Sequence, residues 1–318
     1  TPDPPGLALT STPVPEPPDS VQRNFSLSRL TTVRTGGNAE FFARPGTIPE
    51  LEQLLAWAAV VGLEVGVVGS GSNLLVADEG VRGLVLKLDK QLSETEIEAT
   101  HITCGGGARL PAVSAAAAQA GLSGIEFGVS IPGTVGGAVR MNANAYGGAL
   151  AHVLAWVDIV SAAGTERRTP DQLDFSYRHS NLLRGEVVAR ARFVLTPAAP
   201  TAVKATMAEH RARRKASQPA GIKTFGSTFR NPEDPHAEGA SAGQLLDAAG
   251  CRGLRVGGAG FSLKHANFVE NVDGASTADV VALMEAGADR VRERFGIELE
   301  PEVQALGPVP LPDRWRQR

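Results

Sequence analysis

The chain has 318 residues, 42% hydrophobic and 20% charged, with a formal net charge of −3. That balance excludes a bulk nucleic-acid binder, which needs a strongly basic surface, and no apolar run is long enough for a transmembrane helix. Two cysteines, Cys104 and Cys251, exclude a disulfide framework or a cysteine-based zinc cluster, and the six histidines lack ligand spacing, so no metal is expected.

Residues 1–20 come first in chain order. Seven of the 21 prolines fall within residues 1–18, among few large apolar side chains, which predicts a disordered, partly polyproline arm. No basic-then-apolar leader is present, so a cytoplasmic address is expected. Ile48, Leu51, Leu54, Leu55 and Ala58 then recur at helical spacing. Thr47 with Glu50 makes a capping box for this helix and Gly62 a stop. Residues 64–68 read as a buried strand running into Gly69-Ser70-Gly71-Ser72-Asn73, with a second strand at 84–88.

A strand pair is predicted over 94–104, then an Ala-rich helix over 110–120 closed by Gly121. Gly121 to Gly148 reads as one long glycine-rich loop, and a loop of that length inside a compact domain points to function. Strands follow at 153–160 and 186–195. A helix is expected over 201–215, basic toward its end through Arg211, Arg213, Arg214 and Lys215. Ser241 with Gln244 caps another helix that Gly250 stops, and Ser276 opens a last helix ending at Gly296. The mixed order of strands and helices predicts an α+β protein in two or three subdomains, with a boundary near residue 200.

Glycine lets a backbone approach a ligand closely and present its N–H groups, so Gly69–Asn73 after a strand reads as a pyrophosphate cradle. It is not a Rossmann fingerprint, because Leu74 stands where the third glycine belongs and no helix follows. A tight turn is the competing reading of this segment. The second loop, with Gly133, Gly136, Gly137, Asn142 and Asn144, supplies further N–H and amide groups. Two such loops suit a dinucleotide gripped at both ends.

Seven ordered motifs extend the argument. They are Leu30-Thr31-Thr32-Val33-Arg34-Thr35-Gly36-Gly37, Gly69-Ser70-Gly71-Ser72-Asn73-Leu74-Leu75, and Ile131-Pro132-Gly133-Thr134-Val135-Gly136-Gly137-Ala138. Downstream stand Tyr177-Arg178-His179-Ser180, Gly226-Ser227-Thr228-Phe229-Arg230-Asn231-Pro232, His265-Ala266-Asn267-Phe268 and Leu299-Glu300-Pro301-Glu302-Val303. In this order, over residues 22–307, the chain resembles the UDP-N-acetylenolpyruvoylglucosamine reductase (MurB) family. The segment from Arg178 to Ser227 has no inserted tyrosine-bearing loop, which resembles the family type without that clamp.

The resemblance implies a two-subdomain FAD-binding fold of the vanillyl-alcohol-oxidase/PCMH type plus a C-terminal α+β substrate-binding domain. The implied divisions are 21–90 and 91–202 for FAD, with 299–307 returning to the latter, 203–298 for substrate, and 308–318 as a tail. It implies that NADPH reduces FAD, and that hydride then passes to C3 of UDP-N-acetylglucosamine enolpyruvate, giving UDP-N-acetylmuramate for peptidoglycan. FAD contacts carry over to Gly69, Ser70, Gly71, Ser72, Asn73, Leu74, Pro132, Gly133, Thr134, Gly136, Gly137 and Asn142. Substrate contacts carry over to Tyr177, Asn231 and His265. No histidine lies within Gly69–Asn73, so noncovalent FAD is expected, in a monomer.

Arg178, Ser227 and Glu302 carry over as the catalytic set. Hydride addition beside a carboxylate needs the developing enolate to be stabilised, and a permanently charged planar guanidinium suits that task. Glu302 helps only as an acid, so burial should raise its pKa. Ser227 would protonate C2, since a carbanion-like carbon is basic enough to take a hydroxyl proton. A salt bridge, a turn and a solvated strand end are the competing readings of Arg178, Ser227 and Glu302. A flavin oxidase of the same superfamily and a non-catalytic nucleotide-binding protein are the alternative functions; neither needs this trio.

Overall fold

The computed structural model describes residues 15–316. The first body is a four-stranded sheet in the order Gln22–Ser26, Asn38–Ala43, Val81–Leu86, Val65–Val67, with only the first pair antiparallel. Parallel strands need a crossover, and the helix Ile48–Val61 supplies it. Thr47 caps this helix by accepting the Glu50 N–H. The Glu50 carboxylate takes the N–H of Gly46 rather than that of Thr47, at 2.7 Å, so the expected box closes on one side only. Gly62 ends the helix in the left-handed conformation at φ +75°.

Leu51, Leu54, Leu55 and Ala58 pack with Val160, Val187 and Ala189 of the next sheet, so the crossover helix lies between two sheets. The Val65–Val67 strand is not the buried strand expected: it is the sheet edge, and Val67 is half-exposed. The N-terminal arm lies outside the described residues up to 14. Its described remainder meets the body, where the Trp57 indole N–H donates to the Pro15 carbonyl at 3.2 Å.

The second body is an antiparallel five-stranded sheet, in the order Gly164–Arg168, Leu154–Ser161, Val187–Val194, His101–Gly105, Thr95–Glu98. Leu110–Gln119 packs on it through Leu110, Val113 and Ala117. The segment 121–148 is not the single loop expected. It contains short strands, a 3-10 turn at Glu126–Ser130 and a helix, Val135–Arg140, capped by the Thr134 hydroxyl. Two glycines in six residues lower helix propensity enough to hide that helix from its sequence.

The expected boundary at 202/203 also falls inside an element. Pro200–Ser217 is one helix, and its Val203 and Met207 pack on Ala118 and Val129 of the second body. Pro200 sits in its first turn, where a missing N–H costs nothing.

The third body is an antiparallel sheet ordered Thr224–Ser227, Phe268–Asn271, Ala259–Phe261, Arg255–Val256, covered by the helices Ala242–Ala248 and Thr277–Phe295. Its core takes in Val33, Leu75 and Ala77 of the first body. The Asp78 carboxylate accepts the N–H groups of Thr277 and Ala278 at 2.8 and 2.9 Å, satisfying donors that a helix start leaves open.

The segment 299–307 corrects another expectation. Its strand, Gln304–Leu306, pairs in parallel with Leu74–Val76, within residues 21–90, not with the 91–202 sheet. Leu306 there packs with Val76 and Val81, and that apolar contact draws the strand to the first body. The following tail packs too: Val309 is buried, and the Trp315 indole donates to the Leu299 carbonyl at 3.0 Å.

Both cysteines are buried, and burial pushes the Cys104 thiol up to about 12. A thiol-specific reagent at pH 8 is therefore expected to titrate neither in the native protein and both after unfolding.

Candidate active site

The Gly69–Asn73 loop follows the edge strand of the first sheet and meets the second body directly. Among the described residues, no backbone N–H from Gly69 to Asn73 donates to a protein acceptor. Unpaired amides at successive positions of one loop form an anion-binding concavity. Two contacts hold the loop open. The Thr32 hydroxyl lies 3.0 Å from the Gly71 carbonyl and 2.6 Å from the Thr224 carbonyl, and the Ser72 hydroxyl bonds the Pro132 carbonyl. The two glycine loops and the strand bearing Ser227 are thereby tied together.

A small cavity of about 100 Å3 lies between the loops. Gly69, Thr134, Gly136 and Gly137 line it with Gly106, Lys87 and Arg140. Gly71 has φ +63°, and a Cβ there would stand 2.0 Å from the Leu30 carbonyl oxygen; at Gly137 a Cβ would meet only the Thr134 hydroxyl, at 3.6 Å. The unpaired amides and the open face at Gly137 fit the diphosphate of a dinucleotide. Alanine at these two glycines should therefore act differently. Gly71→Ala should lose about 1–2 kcal/mol from its left-handed backbone alone. Gly137→Ala should raise apoprotein stability by about 0.5–1 kcal/mol, as an alanine inside a helix does, while weakening FAD binding. Thermal melts and FAD titrations of the two apoproteins check this.

Arg178, Glu302 and Ser227 converge beside the first loop. The Arg178 Nε donates to Glu302 Oε1 at 2.8 Å, with side-chain exposures of 20% and 13%. Burial raises the Glu302 carboxyl above its ordinary value, against the pull of Arg178 and, more weakly, Arg230. Among the described residues the two terminal nitrogens of Arg178 make no hydrogen bond, so its fork stays open to an external carboxylate.

Glu302 is placed by its backbone. Its N–H donates to the Thr228 carbonyl at 2.8 Å, and the Asn73 amide donates to its carbonyl at 3.2 Å. Ser227 ends the strand opposite Phe268, after Gly226 at φ +84°, whose added Cβ would lie 3.7 Å from the Ser72 carbonyl oxygen. The Ser227 hydroxyl has no hydrogen-bond partner among the described residues.

Other expected residues divide. Tyr177 joins the site, with the Arg178 and Arg230 guanidinium carbons 5.2 and 5.5 Å from its ring centre. Ser70, Leu74 and Gly133 lie within or beside the loops, Leu74 paired with Gln304. Asn142 already has protein partners. It is buried, its amide bonding the Ser176 carbonyl at 3.1 Å and the Ala151 N–H at 3.3 Å, so it braces the turn carrying Arg178.

Asn231 and His265 meet the start of the Ala242–Ala248 helix: Asn231 Oδ1 accepts the Ala242 N–H at 3.1 Å, and His265 packs against Gly243. His265 also lies edge-on to Phe268, the residue opposite Ser227, and burial lowers its pKa. The basic cluster splits. Arg213 pairs with Glu209, the Lys215 carbonyl receives the Lys264 ammonium, and only Arg214 reaches the glycine loop, bonding the Ser130 carbonyl.

Arg230 and Lys87 escaped the sequence reading. Arg230 bonds the Tyr177 carbonyl from inside a motif already quoted. Lys87 is a charge set within the apolar run Leu84–Leu88, and that interruption is its signal. Among the described residues no group of three His, Cys, Asp or Glu side chains could hold a metal, and no helix is long and apolar enough to cross a membrane.

Known proteins bear directly on this geometry. Residues 39–170 match the family model described as an FAD binding domain, and residues 218–306 match that of the UDP-N-acetylenolpyruvoylglucosamine reductase C-terminal domain. The UDP-N-acetylenolpyruvoylglucosamine reductase of Agathobacter rectalis is 44% identical over 295 residues, 88% of this chain and 92% of that protein. That of Sphingopyxis alaskensis is 45% identical over 284 residues, 88% of this chain and 93% of that one. The crystal structure of the Thermus caldophilus enzyme superposes with a TM-score of 0.78 at 36% identity, covering 90% of this chain and 98% of that one. With such identity over 88–90% of its length, the chain belongs to the UDP-N-acetylenolpyruvoylglucosamine reductase (MurB) family of FAD-dependent oxidoreductases.

Proposed function

We propose that this protein reduces UDP-N-acetylglucosamine enolpyruvate to UDP-N-acetylmuramate in peptidoglycan precursor synthesis, with NADPH as reductant. The observation that carries the reading is the Arg178–Glu302 pair, largely buried and set beside a serine hydroxyl and a loop of amides that have no partner among the described residues. The first two bodies hold FAD noncovalently through the two glycine loops, and the third body closes on the sugar nucleotide, with Tyr177, Asn231 and His265 contacting it.

When bound, FAD supplies the hydride, taken from NADPH, that adds to C3 of the enolpyruvyl group. Arg178 grips the substrate carboxylate through its two free nitrogens, while Glu302 fixes the plane of the guanidinium through Nε. As hydride adds, negative charge moves onto that carboxylate, and Arg178 meets it without reorganising in a site with little water. Glu302 in its acid form donates a hydrogen bond at the same place and keeps its proton, a state that its burial favours. Ser227 donates its hydroxyl proton to C2 and brings no charge to oppose the enolate.

The experiment is direct. The purified protein should bind FAD and consume one NADPH per enolpyruvyl substrate, giving the lactyl ether. Sustained NADPH oxidation with oxygen alone, untouched by substrate, would favour an oxidase instead.

A further inference from the structure

The cavity between the glycine loops contains a cation that the catalytic set does not use. Lys87 follows the central strand Val81–Leu86, and its Nζ donates to the Gly69 carbonyl at 2.5 Å. It makes no ion pair among the described residues. Its electrostatic neighbours are two arginines, Arg44 and Arg109, and one carboxylate, Asp89. Burial and the two arginines hold its pKa below the ordinary lysine value.

Two other charged groups line this cavity, and both are committed elsewhere. Arg140 donates to the Leu182 and Leu183 carbonyls at 3.3 and 2.9 Å. Glu186 pairs with Arg168 and accepts the Leu183 N–H at 2.7 Å. A half-buried ammonium compensated by a single carbonyl oxygen is incompletely satisfied, and an anion would complete its shell. The five unpaired N–H groups of Gly69–Asn73 start at the carbonyl that Lys87 holds.

We infer that Lys87 is a charge-supplying ligand for the diphosphate of the bound dinucleotide, added to the backbone cradle of the two glycine loops. The inference rests on the FAD reading above. In this role Lys87 does two things at once. Its hydrogen bond holds the Gly69 carbonyl, and its charge offsets that of the diphosphate.

Two substitutions separate these effects. Lys87→Gln keeps a donor for the Gly69 carbonyl and removes the charge; Lys87→Arg keeps the charge. FAD binding to the deflavinated proteins is followed by flavin fluorescence at low and high salt, with apoprotein melting as a folding control. Lys87→Gln should bind FAD about 10-fold or more weakly and lose part of the salt dependence of wild type, since screening acts on charge. Lys87→Arg should stay within about threefold of wild type, as a retained charge demands.

Lys87→Gln binding within twofold of wild type would overturn the assignment, as would equal weakening by both variants, which would mark Lys87 as a steric brace. Should Lys87→Gln fail to fold, a wild-type FAD affinity insensitive to salt would overturn it equally. Wild-type apoprotein that binds no FAD at all would instead overturn the FAD reading.

Discussion

Replacing Ser227 with alanine is expected to separate the two halves of the turnover. Reduction of the bound flavin by NADPH should stay within about twofold of wild type, because no proton reaches carbon in that half. Reoxidation by the enolpyruvyl substrate should slow by about 10²–10⁴, the usual contribution of a positioned proton donor. The fold should not resist the change: Ser227 is half-exposed, ends its strand, and its hydroxyl holds no protein partner. Stopped-flow measurement of the two half-reactions distinguishes this from a serine that only contacts substrate. A contact role would raise KM and leave the saturated reoxidation rate intact.

The second large effect belongs to the Arg178–Glu302 pair. Arg178→Ala removes a preorganised cation from the charge that develops on the substrate carboxylate, and reoxidation should fall by about 10²–10³. The pH dependence carries more information than the rate. Burial raises the Glu302 pKa while Arg178 opposes that rise. The proposed mechanism uses the acid form, so reoxidation should decline as pH climbs through the raised value. Without Arg178 the opposing influence is gone, so the falling limb should move to higher pH. In Glu302→Gln, where the side chain donates at every pH, that limb should vanish. A limb that persists unchanged in Glu302→Gln would assign it to another group. NADPH should still reduce the flavin in both variants.

Much of the local structure could be read from residue order. The Ile48–Val61, Leu110–Gln119 and Thr277–Phe295 helices carry apolar spacing, an N-terminal cap or proline, and in two cases a glycine stop. These are short-range signals, in which the residues that decide the conformation lie within one turn of it. The Val135–Arg140 helix was hidden for the converse reason: its glycines argue locally for a loop, and its stability comes from Val135, Ala138 and Val139 buried against the second sheet. The Gln304–Leu306 strand was misassigned because a three-residue strand has no periodicity of its own and takes its partner from distant chain.

The same division runs through the site. Residue order by itself marked the two glycine loops and, through ordered motifs, Arg178, Ser227 and Glu302. Only the tertiary structure joined Arg178 to Glu302 across 124 residues, set Ser227 beside the first loop, and gave Lys87 a place between both loops. It also gave Asn142 a bracing role, between Ser176 and Ala151. Spacing encodes what a segment can do with its own neighbours. Burial, the state of a carboxyl and the approach of two cations depend on which remote segments close around them, and those contacts form when three bodies pack.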